Sequence, residues 1–459
     1  MFKKIFIMAL VCIMALSVAG CEKKYSEKDL YSYKAQEFEI CGLWAPRQMT
    51  EEAFQQYKDA GFNVCSFTNH DEQPRSSENQ YYLGSKRTKE VLEICKKVGL
   101  DVYIAFGDSW FNRANEGDEY FDGTPFSKHD YYGEYKDIIK GVHINDEPKK
   151  DKMIELSSDT LINDFKKVYP DTKYMINLIP ETAISSREFE SYTEMLEIYG
   201  EDIMSKFENP YICVDCYLYS NWGLVGKNIV NNYNQIANSA KKYGAETTFI
   251  LQSSTGNEFL DTLSEADMRQ QAYLAIAFGA DNIQYYCYSV PEGMDPQYIN
   301  CMLERDNETP SQLYYDVKTV NAEIQKFASA VLAYDWQQSI GISGSEDQTY
   351  RVSVLEYDLD LNPIKMENAK HYASAKGTQD MVLSRFESEE YGEAYMFVNF
   401  SEITDKTNTV NATFKDCGAV AIYGGEDYDG TPEIVELDEN GSFTLELAYG
   451  EGVFVVPLV

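Results

Sequence analysis

One stretch of the sequence combines acid–base side chains with the alternation of a short strand: residues 141–148 read Gly-Val-His-Ile-Asn-Asp-Glu-Pro. Side chains alternate faces along a strand, so His143, Asn145 and Glu147 are expected on one side, opposite two apolar residues. Pro148 has no N–H group to donate to a neighbouring strand and therefore ends the strand. A carboxyl group held at the carboxyl end of a buried strand can transfer protons, which makes Glu147 the first catalytic candidate.

A second carboxyl group lies on a strand further along the chain, where residues 211–219 read Tyr-Ile-Cys-Val-Asp-Cys-Tyr-Leu-Tyr. Alternation places Cys213, Asp215 and Tyr217 on one face and the apolar residues on the other. An unpaired charge inside a protein is costly, so Asp215 needs partners there. Two interpretations stay open, a structural carboxylate bonded to Tyr or Asn neighbours and a catalytic partner of Glu147.

The elements that must position these groups are short apolar strands alternating with amphipathic helices. Strands are predicted at 38–44, 63–68, 101–106, 141–145, 173–179, 211–219, 247–252 and 282–288. Four of the helices end at a glycine just before the next strand, which is typical of a helix C-cap: Gly61, Gly99, Gly244 and Gly279. Eight such units in about 300 residues predict the α/β class, with a (β/α)8 TIM barrel over residues 37–333. No glycine-rich phosphate loop follows the first strand, which argues against a nucleotide-binding sheet.

The remaining residues, 334–459, change to alternating strands without helices and predict an all-β antiparallel sandwich domain. Strands are expected at 350–357, 381–386, 393–399, 409–414, 419–423 and 452–458, joined by turn signals such as Glu-Asn-Gly at 439–441. Nothing in this domain has a catalytic pattern, so packing against the barrel is its expected role.

Barrel enzymes work at the carboxyl ends of their strands, and there this sequence places aromatic rings, amides and carboxylates. Aromatic rings suit the C–H faces of a sugar, while amides and carboxylates bind its hydroxyl groups. We therefore predict a carbohydrate-binding surface formed by Trp44, Trp110, Asn145, Asp146, Asn177, Tyr217, Trp222, Gln252 and Tyr288.

The first 20 residues have a basic start, a short apolar run and small residues before Cys21, which predicts a secretory signal peptide. The sequence Val-Ala-Gly-Cys at 18–21 resembles the bacterial lipobox, which implies lipidation of Cys21. Residues 21–36 are charged and rich in Tyr and Ser, as expected of a tether. The expected location is the bacterial cell envelope, on the outer side of a membrane, anchored through the lipid.

Composition excludes several partners. The formal net charge is −35, which disfavours nucleic acid and anionic lipid surfaces. The ten cysteines are scattered rather than spaced as a disulfide scaffold, and the four histidines show no metal-binding spacing, so neither a metal nor a cofactor is predicted. The oligomeric state stays open.

The Asn-Asp-Glu-Pro end of strand four, the aromatic strand ends and the C-terminal sandwich together resemble the (β/α)8 glycoside hydrolases, especially their large retaining clan. The resemblance implies that Glu147 is the general acid/base. Asp146 takes the preceding position, where the clan has Asn. The clan also has a nucleophilic Glu at the end of strand seven, and this sequence has Gln252 there, which cannot attack a sugar.

Three sources for the second carboxyl group stay open. Asp215 is favoured, because it lies on the same inner surface two strands away. Asp146 beside Glu147 resembles the adjacent carboxylates of substrate-assisted hexosaminidases. Glu258 or Glu292, in the loops after strands seven and eight, could also reach the site.

The predicted function is a cell-surface glycoside hydrolase that acts on an oligo- or polysaccharide. A second hypothesis is a lipid-anchored barrel that binds carbohydrate without cleaving it, with Gln252 marking the lost nucleophile. A metal-dependent barrel that uses His143, Glu147 and Asp215 is a third and weaker hypothesis, because a satisfied interior histidine is the commoner finding.

Overall fold

The computed structural model describes residues 25–44, 46–66, 86–105, 133–219, 225–255, 263–290, 300–346, 351–358, 360–402 and 406–459. Its first domain is a closed barrel of eight parallel strands in sequential order, which confirms the predicted TIM barrel. The strands are β1 Glu39–Gly42, β2 Val64–Ser66, β3 Asp101–Ala105, β4 Ile139–Asp146, β5 Lys173–Leu178, β6 Tyr211–Asp215, β7 Glu246–Gln252 and β8 Asn282–Tyr286.

Helices surround the barrel in the alternation that the sequence predicts. They are α1 Glu51–Asp59, α2 Lys86–Val98, α3 Lys150–Leu156, α4 Asp159–Val168, α5 Tyr192–Asp202, α6 Val225–Tyr243, α7 Glu265–Ala277 and α8 Gln312–Val331. The four glycines predicted as C-caps all have positive φ, between 65° and 86°, a backbone conformation that glycine adopts without the penalty of a Cβ atom. A short 3-10 helix, Glu181–Arg187, follows β5 at the carboxyl end of the barrel.

The C-terminal domain packs two antiparallel sheets face to face, as predicted. One sheet has three strands in the order β10-β13-β16, and the other has six in the order β15-β14-β17-β12-β11-β9. The strands are β9 Asp335–Ile342, β10 Tyr372–Gly377, β11 Met381–Ser388, β12 Gly392–Asn399, β13 Asn408–Phe414, β14 Ala419–Tyr423, β15 Glu433–Glu436, β16 Ser442–Leu447 and β17 Gly452–Leu458.

The predicted strand over 350–357 is wrong, because the chain forms a single helical turn, α9 Ser353–Glu356, instead. Val352 and Leu355 are three residues apart and both are buried, a spacing that puts them on the same side of a helical turn but on opposite faces of a strand. Both pack against Gly341 of β9, where an added Cβ would lie 2.7 Å from the Val352 Cβ. The alternation of apolar residues here imitates a strand pattern.

The two domains share an apolar core. Helix α7 is buried over almost its whole circumference, because the barrel covers one side and the six-stranded sheet covers the other. Its start is fixed by a capping box, in which Ser264 and Asp267 each accept a hydrogen bond from the other's backbone N–H. The sandwich domain therefore packs, through α7, against the side of the barrel that β7 and β8 form.

The stretch predicted as a tether contacts the folded domains from Tyr25 onward. The Tyr33 hydroxyl lies 3.1 Å from that of Tyr334, and the Tyr33 ring also contacts the rings of Tyr391 and Tyr423 in the sandwich. The Phe38 backbone N–H donates to the Gln325 side chain of α8 at 3.0 Å. Among the helices of the described ranges, none combines the length and apolar character needed to cross a membrane.

Candidate active site

A cavity of about 260 Å³ opens at the carboxyl ends of the barrel strands, where the sequence predicts the site. Three carboxyl groups face it, those of Asp146, Glu147 and Asp215. The remaining lining is aromatic, amide, thiol, imidazole and aliphatic: Leu43, Trp44, His143, Met175, Asn177, Tyr211, Cys213, Tyr217, Ile250, Gln284 and Tyr286. The cavity is therefore strongly acidic, with aromatic rings along its wall.

A bulge in β4 decides which of its polar side chains enter the cavity. His143 pairs with Met175 of β5, but the next pair is Asn145 with Ile176, so β4 contains one extra residue. Alternation restarts after the bulge, and Asp146 then lies in register with Asn177, which lines the cavity. Asn145 lies in register with a residue of the outer core and does not line the cavity. Strict alternation predicts that Asn145 lines the cavity, but because of the bulge Asp146 lines it instead.

Glu147 occupies the turn directly after β4 and has a left-handed backbone, with φ of 43°. Its N–H group donates to the Asn177 carbonyl at 2.9 Å, which holds the turn against β5. Its carboxylate forms an ion pair with the guanidinium of Arg187, in which Nη2 donates to Oε2. A residue other than glycine in this backbone region costs about 1–2 kcal/mol, and such strain is common at active sites.

Arg187 is a site residue that the sequence reasoning missed. It ends the 3-10 helix after β5, and the next residue, Glu188, also has a left-handed backbone with φ of 68°. An ion pair between Lys149 and Glu188 ties this segment to the chain just after β4. The one available signal was its position, in a loop at the carboxyl end of a barrel strand.

Asp215 ends β6 and faces the cavity together with Cys213 and Tyr217, as the alternation predicts. Its Oδ1 atom is buried and has no hydrogen-bond partner among the described residues. Burial raises the pKa of Asp215 well above its ordinary value, and the nearby Glu147 and Asp146 carboxylates raise it further. A hydrogen bond from Asn177 acts in the opposite direction.

Asn177 connects the acidic groups. Its Nδ2 atom donates to Asp146 Oδ1 at 2.9 Å, and its Oδ1 atom accepts a weak hydrogen bond from the Cys213 thiol at 3.7 Å. It also bonds the Asp215 side chain. Both ends of this amide are used within the protein, so Asn177 positions the carboxyl groups as well as lining the cavity.

The aromatic wall is built from β1, β6 and β8. The rings of Trp44 and Tyr286 meet edge to face at 4.9 Å, and Tyr286 stacks on Tyr217 at 5.8 Å. Trp44 is only 7% exposed, so little of its surface is accessible to a ligand. The adjoining tyrosines offer the larger apolar surface.

Besides Asn145, two more of the predicted sugar-binding residues lie outside the cavity lining. The side-chain amide of Gln252 accepts a hydrogen bond from the Tyr219 N–H at 2.9 Å and donates one to the Ser254 carbonyl at 3.0 Å, so it stabilises the loop after β7. Tyr288 is buried against the rings of Tyr57 and Phe62, outside the barrel wall. Trp110, Trp222, Cys21, Glu258 and Glu292 lie outside the described residues.

Within the same described ranges, no group of three or more His, Cys, Asp and Glu side chains has a metal-binding arrangement. His143 lines the cavity and has contacts of its own.

Comparison with known proteins gives a likeness of fold. No protein-family model matches the chain, and no curated protein matches it either. Among solved structures, a family 42 β-galactosidase from G. stearothermophilus is 9% identical, with a TM-score of 0.56 over 93% of this chain and 99% of the other. A family 5 glycoside hydrolase from Bacteroides vulgatus is 12% identical, with a TM-score of 0.50 over 92% of this chain and 89% of the other. The chain therefore has the barrel fold of glycoside hydrolases.

Proposed function

We propose that the protein is a glycoside hydrolase that cleaves glycosidic bonds of an oligo- or polysaccharide, with Glu147 and Asp215 as its two carboxyl groups. The observation that carries this proposal is the arrangement in the cavity: two carboxyl groups on different strands, in opposite electrostatic settings, beside an aromatic wall. Both standard mechanisms of glycoside hydrolysis need one protonated and one ionised carboxyl group on either side of the scissile bond.

The position of Asp215 on β6 compensates for the missing carboxylate on β7. Gln252 cannot act as a nucleophile, and its amide is already bonded within its own loop. The separation between the two carboxyl groups decides the stereochemistry: about 5–5.5 Å gives retention, and about 6.5–9.5 Å leaves room for a water and gives inversion. Following the anomer of the product by NMR at early times distinguishes these two outcomes.

The aromatic wall supports a sugar as the ligand. Tyr217 and Tyr286 present a stacked pair of rings to the cavity, which suits the apolar face of a pyranose. The carboxylate of Asp146, which is exposed into the cavity, can accept hydrogen bonds from sugar hydroxyl groups. The cavity volume of about 260 Å³ accommodates roughly one sugar ring, so further rings of a longer substrate would lie outside it.

The test is turnover by residues 21–459 on a panel of aryl glycosides and plant or microbial glycans, measured as phenol or reducing-end release. We expect release by the unaltered protein, a loss of about 10²-fold or more in Glu147→Gln, and a similar loss in Asp215→Asn on glycans and phenyl glycosides. Glu134→Gln is the matched control, because it removes an exposed carboxylate far from the cavity whose ion pair with Lys89 spans 3.3 Å. Release that survives in both site variants would contradict the proposal.

The second candidate function is carbohydrate binding without cleavage, favoured by the absence of a carboxylate at Gln252. It predicts saturable glycan binding by calorimetry with no reducing ends released after prolonged incubation. Binding and turnover assays on the same glycans separate the two functions.

We also propose that the chain acts at the cell envelope as a lipoprotein, supported by the signal-like first 20 residues and the lipobox-like sequence before Cys21. Incorporation of labelled fatty acid in the producing bacterium, lost in Cys21→Ala, is the expected result.

A further inference from the structure

We propose that Asp215 is the proton donor of this site and that Glu147 is its ionised partner, kept in that state by Arg187. This assignment rests on the proposed function and reverses the role that the family resemblance implies for Glu147. It follows from what each carboxyl group contacts.

The contacts of Glu147 favour its ionised form. Arg187 donates to its Oε2 atom, and the guanidinium is charged at any pH at which the protein is folded. Both side chains are about three-quarters buried, so water screens their attraction only in part. A proton on Glu147 would break this charge-assisted bond and leave Arg187 without its carboxylate partner. The residue after Arg187, Glu188, pairs with Lys149, which links this segment to the chain just after β4.

The contacts of Asp215 favour its protonated form. The described residues supply it with no ion pair, and Oδ1 is buried without a donor. Glu147 and Asp146 are both close enough to repel a charge on it. Burial raises the pKa of this carboxyl group in agreement with the geometry.

Among the described residues, five further titratable groups interact electrostatically with Asp215. They are thiols and phenols whose pKa is raised by burial, and they are therefore neutral near neutral pH: Cys213, Cys216, Tyr192, Tyr217 and Tyr233. Asn177 contributes a single neutral donor. His143 also lines the cavity.

The chemical step then follows. Asp215 gives its proton to the glycosidic oxygen as the bond from that oxygen to C1 breaks, and the electron pair leaves with the oxygen. In one route Glu147 bonds to C1, and water then attacks C1 as the C1–Glu147 bond breaks and Asp215 takes the proton of that water. In the other route Glu147 takes a proton from the water that attacks C1 and passes it to solvent, and solvent returns a proton to Asp215. In both routes one water is consumed, two hydroxyl groups form, and nothing is oxidised or reduced.

The test compares two aryl glycosides of the same sugar, one with a phenyl and one with a 2,4-dinitrophenyl leaving group. Dinitrophenolate departs without a proton, so Asp215→Asn should lose about 10²–10⁴-fold on the phenyl glycoside and much less on the dinitrophenyl one. Glu147→Gln should lose activity equally on both. Asp215→Ala repeats the comparison if Asp215→Asn does not fold.

Arg187 is a positioning residue in this scheme, and Arg187→Met tests it. Activity on both substrates should fall by about the same factor, because Glu147 then lacks the guanidinium that pairs with its carboxylate. Arg187→Lys, which keeps the positive charge, should restore much of the lost activity, whereas a purely structural defect would not be rescued.

The opposite pattern, with Glu147→Gln selective for the leaving group and Asp215→Asn impaired on both substrates, overturns the assignment while leaving the hydrolase function intact. An unaltered protein that binds the sugars but releases neither phenol overturns the proposed function and the assignment with it.

Discussion

Replacing Asp215 with Asn should make the protein more stable at neutral and alkaline pH while it lowers activity on substrates whose leaving group needs a proton. The folded protein buries this carboxyl group beside two others and leaves one of its oxygens without a donor. Asn keeps the shape of the side chain and removes the charge. The substitution therefore isolates the cost of placing an acid at this position.

The sign of the pH dependence follows from the raised pKa. Below the ordinary pKa of 3.8, Asp215 is protonated in both folded and unfolded chains and costs nothing. As the pH rises above that value, the unfolded chain loses its proton first, so the free energy of unfolding falls until the folded form also ionises. The amide introduced by Asp215→Asn has no proton to lose in this range, so the gain in stability should appear above pH 4 and grow with pH.

The expected gain at pH 8 is about 1–3 kcal/mol, the usual cost of a buried polar group without a partner. Urea unfolding followed by tryptophan fluorescence between pH 4 and pH 8 measures it, with the slope against urea compared between proteins to confirm that the same surface is exposed. Glu134→Gln is the matched control, because this carboxylate is exposed and lies outside the cavity lining, and its effect should stay within about 0.5 kcal/mol. A gain in Asp215→Asn that is the same at every pH, or a loss that grows with pH, would refute the reasoning.

Three further predictions concern the barrel and its ligand. Glu323→Gln should lower the free energy of unfolding by about 3–5 kcal/mol, because its pair with Arg269 is buried. Glu265→Gln, on the more exposed side of the same arginine, should lower it by about 1 kcal/mol or less, and urea unfolding compares the two variants. Gly141→Ala places a Cβ atom well inside van der Waals contact with Met175 Sδ, so the free energy of unfolding should fall by about 1–3 kcal/mol. KM should rise because Met175 shifts into the cavity, and adding Met175→Ala to the same chain should recover much of the stability. Aryl uronides should have a kcat/KM at least about 10-fold below that of the matching neutral glycosides, because three carboxyl groups face the cavity, and equal rates would contradict this.

Periodicity was sufficient to predict the barrel. Parallel strands buried on both faces and helices ending at glycine have strong local patterns, and all eight strands lie where these patterns place them. The short turn at Ser353–Glu356 was misjudged because four residues are too few for a helical period to emerge from alternating apolar residues.

The site was predictable only as far as strand alternation holds. Asp215 and its neighbours on β6 follow the alternation, and they face the cavity as expected. On β4 the bulge depends on how two neighbouring strands are paired, which local sequence does not specify, and it exchanges Asn145 for Asp146. Arg187 lies 40 residues from Glu147 in the chain, and only the closed barrel brings them together.

If Cys21 carries the proposed lipid, the packing of the N-terminal residues limits how far the sandwich can lie from the membrane. Only a few residues separate Cys21 from Tyr25, and Tyr25 is already seated on the sandwich, where its ring fills the space that a Cβ on Gly418 would occupy. A step of four residues along the chain reaches at most about 14 Å when fully extended. For a chain lipidated at Cys21, the sandwich would therefore rest close to the lipid headgroups. In such a lipidated chain, extra residues between Cys21 and Tyr25 would let the sandwich lie further from the bilayer without altering Glu147 or Asp215.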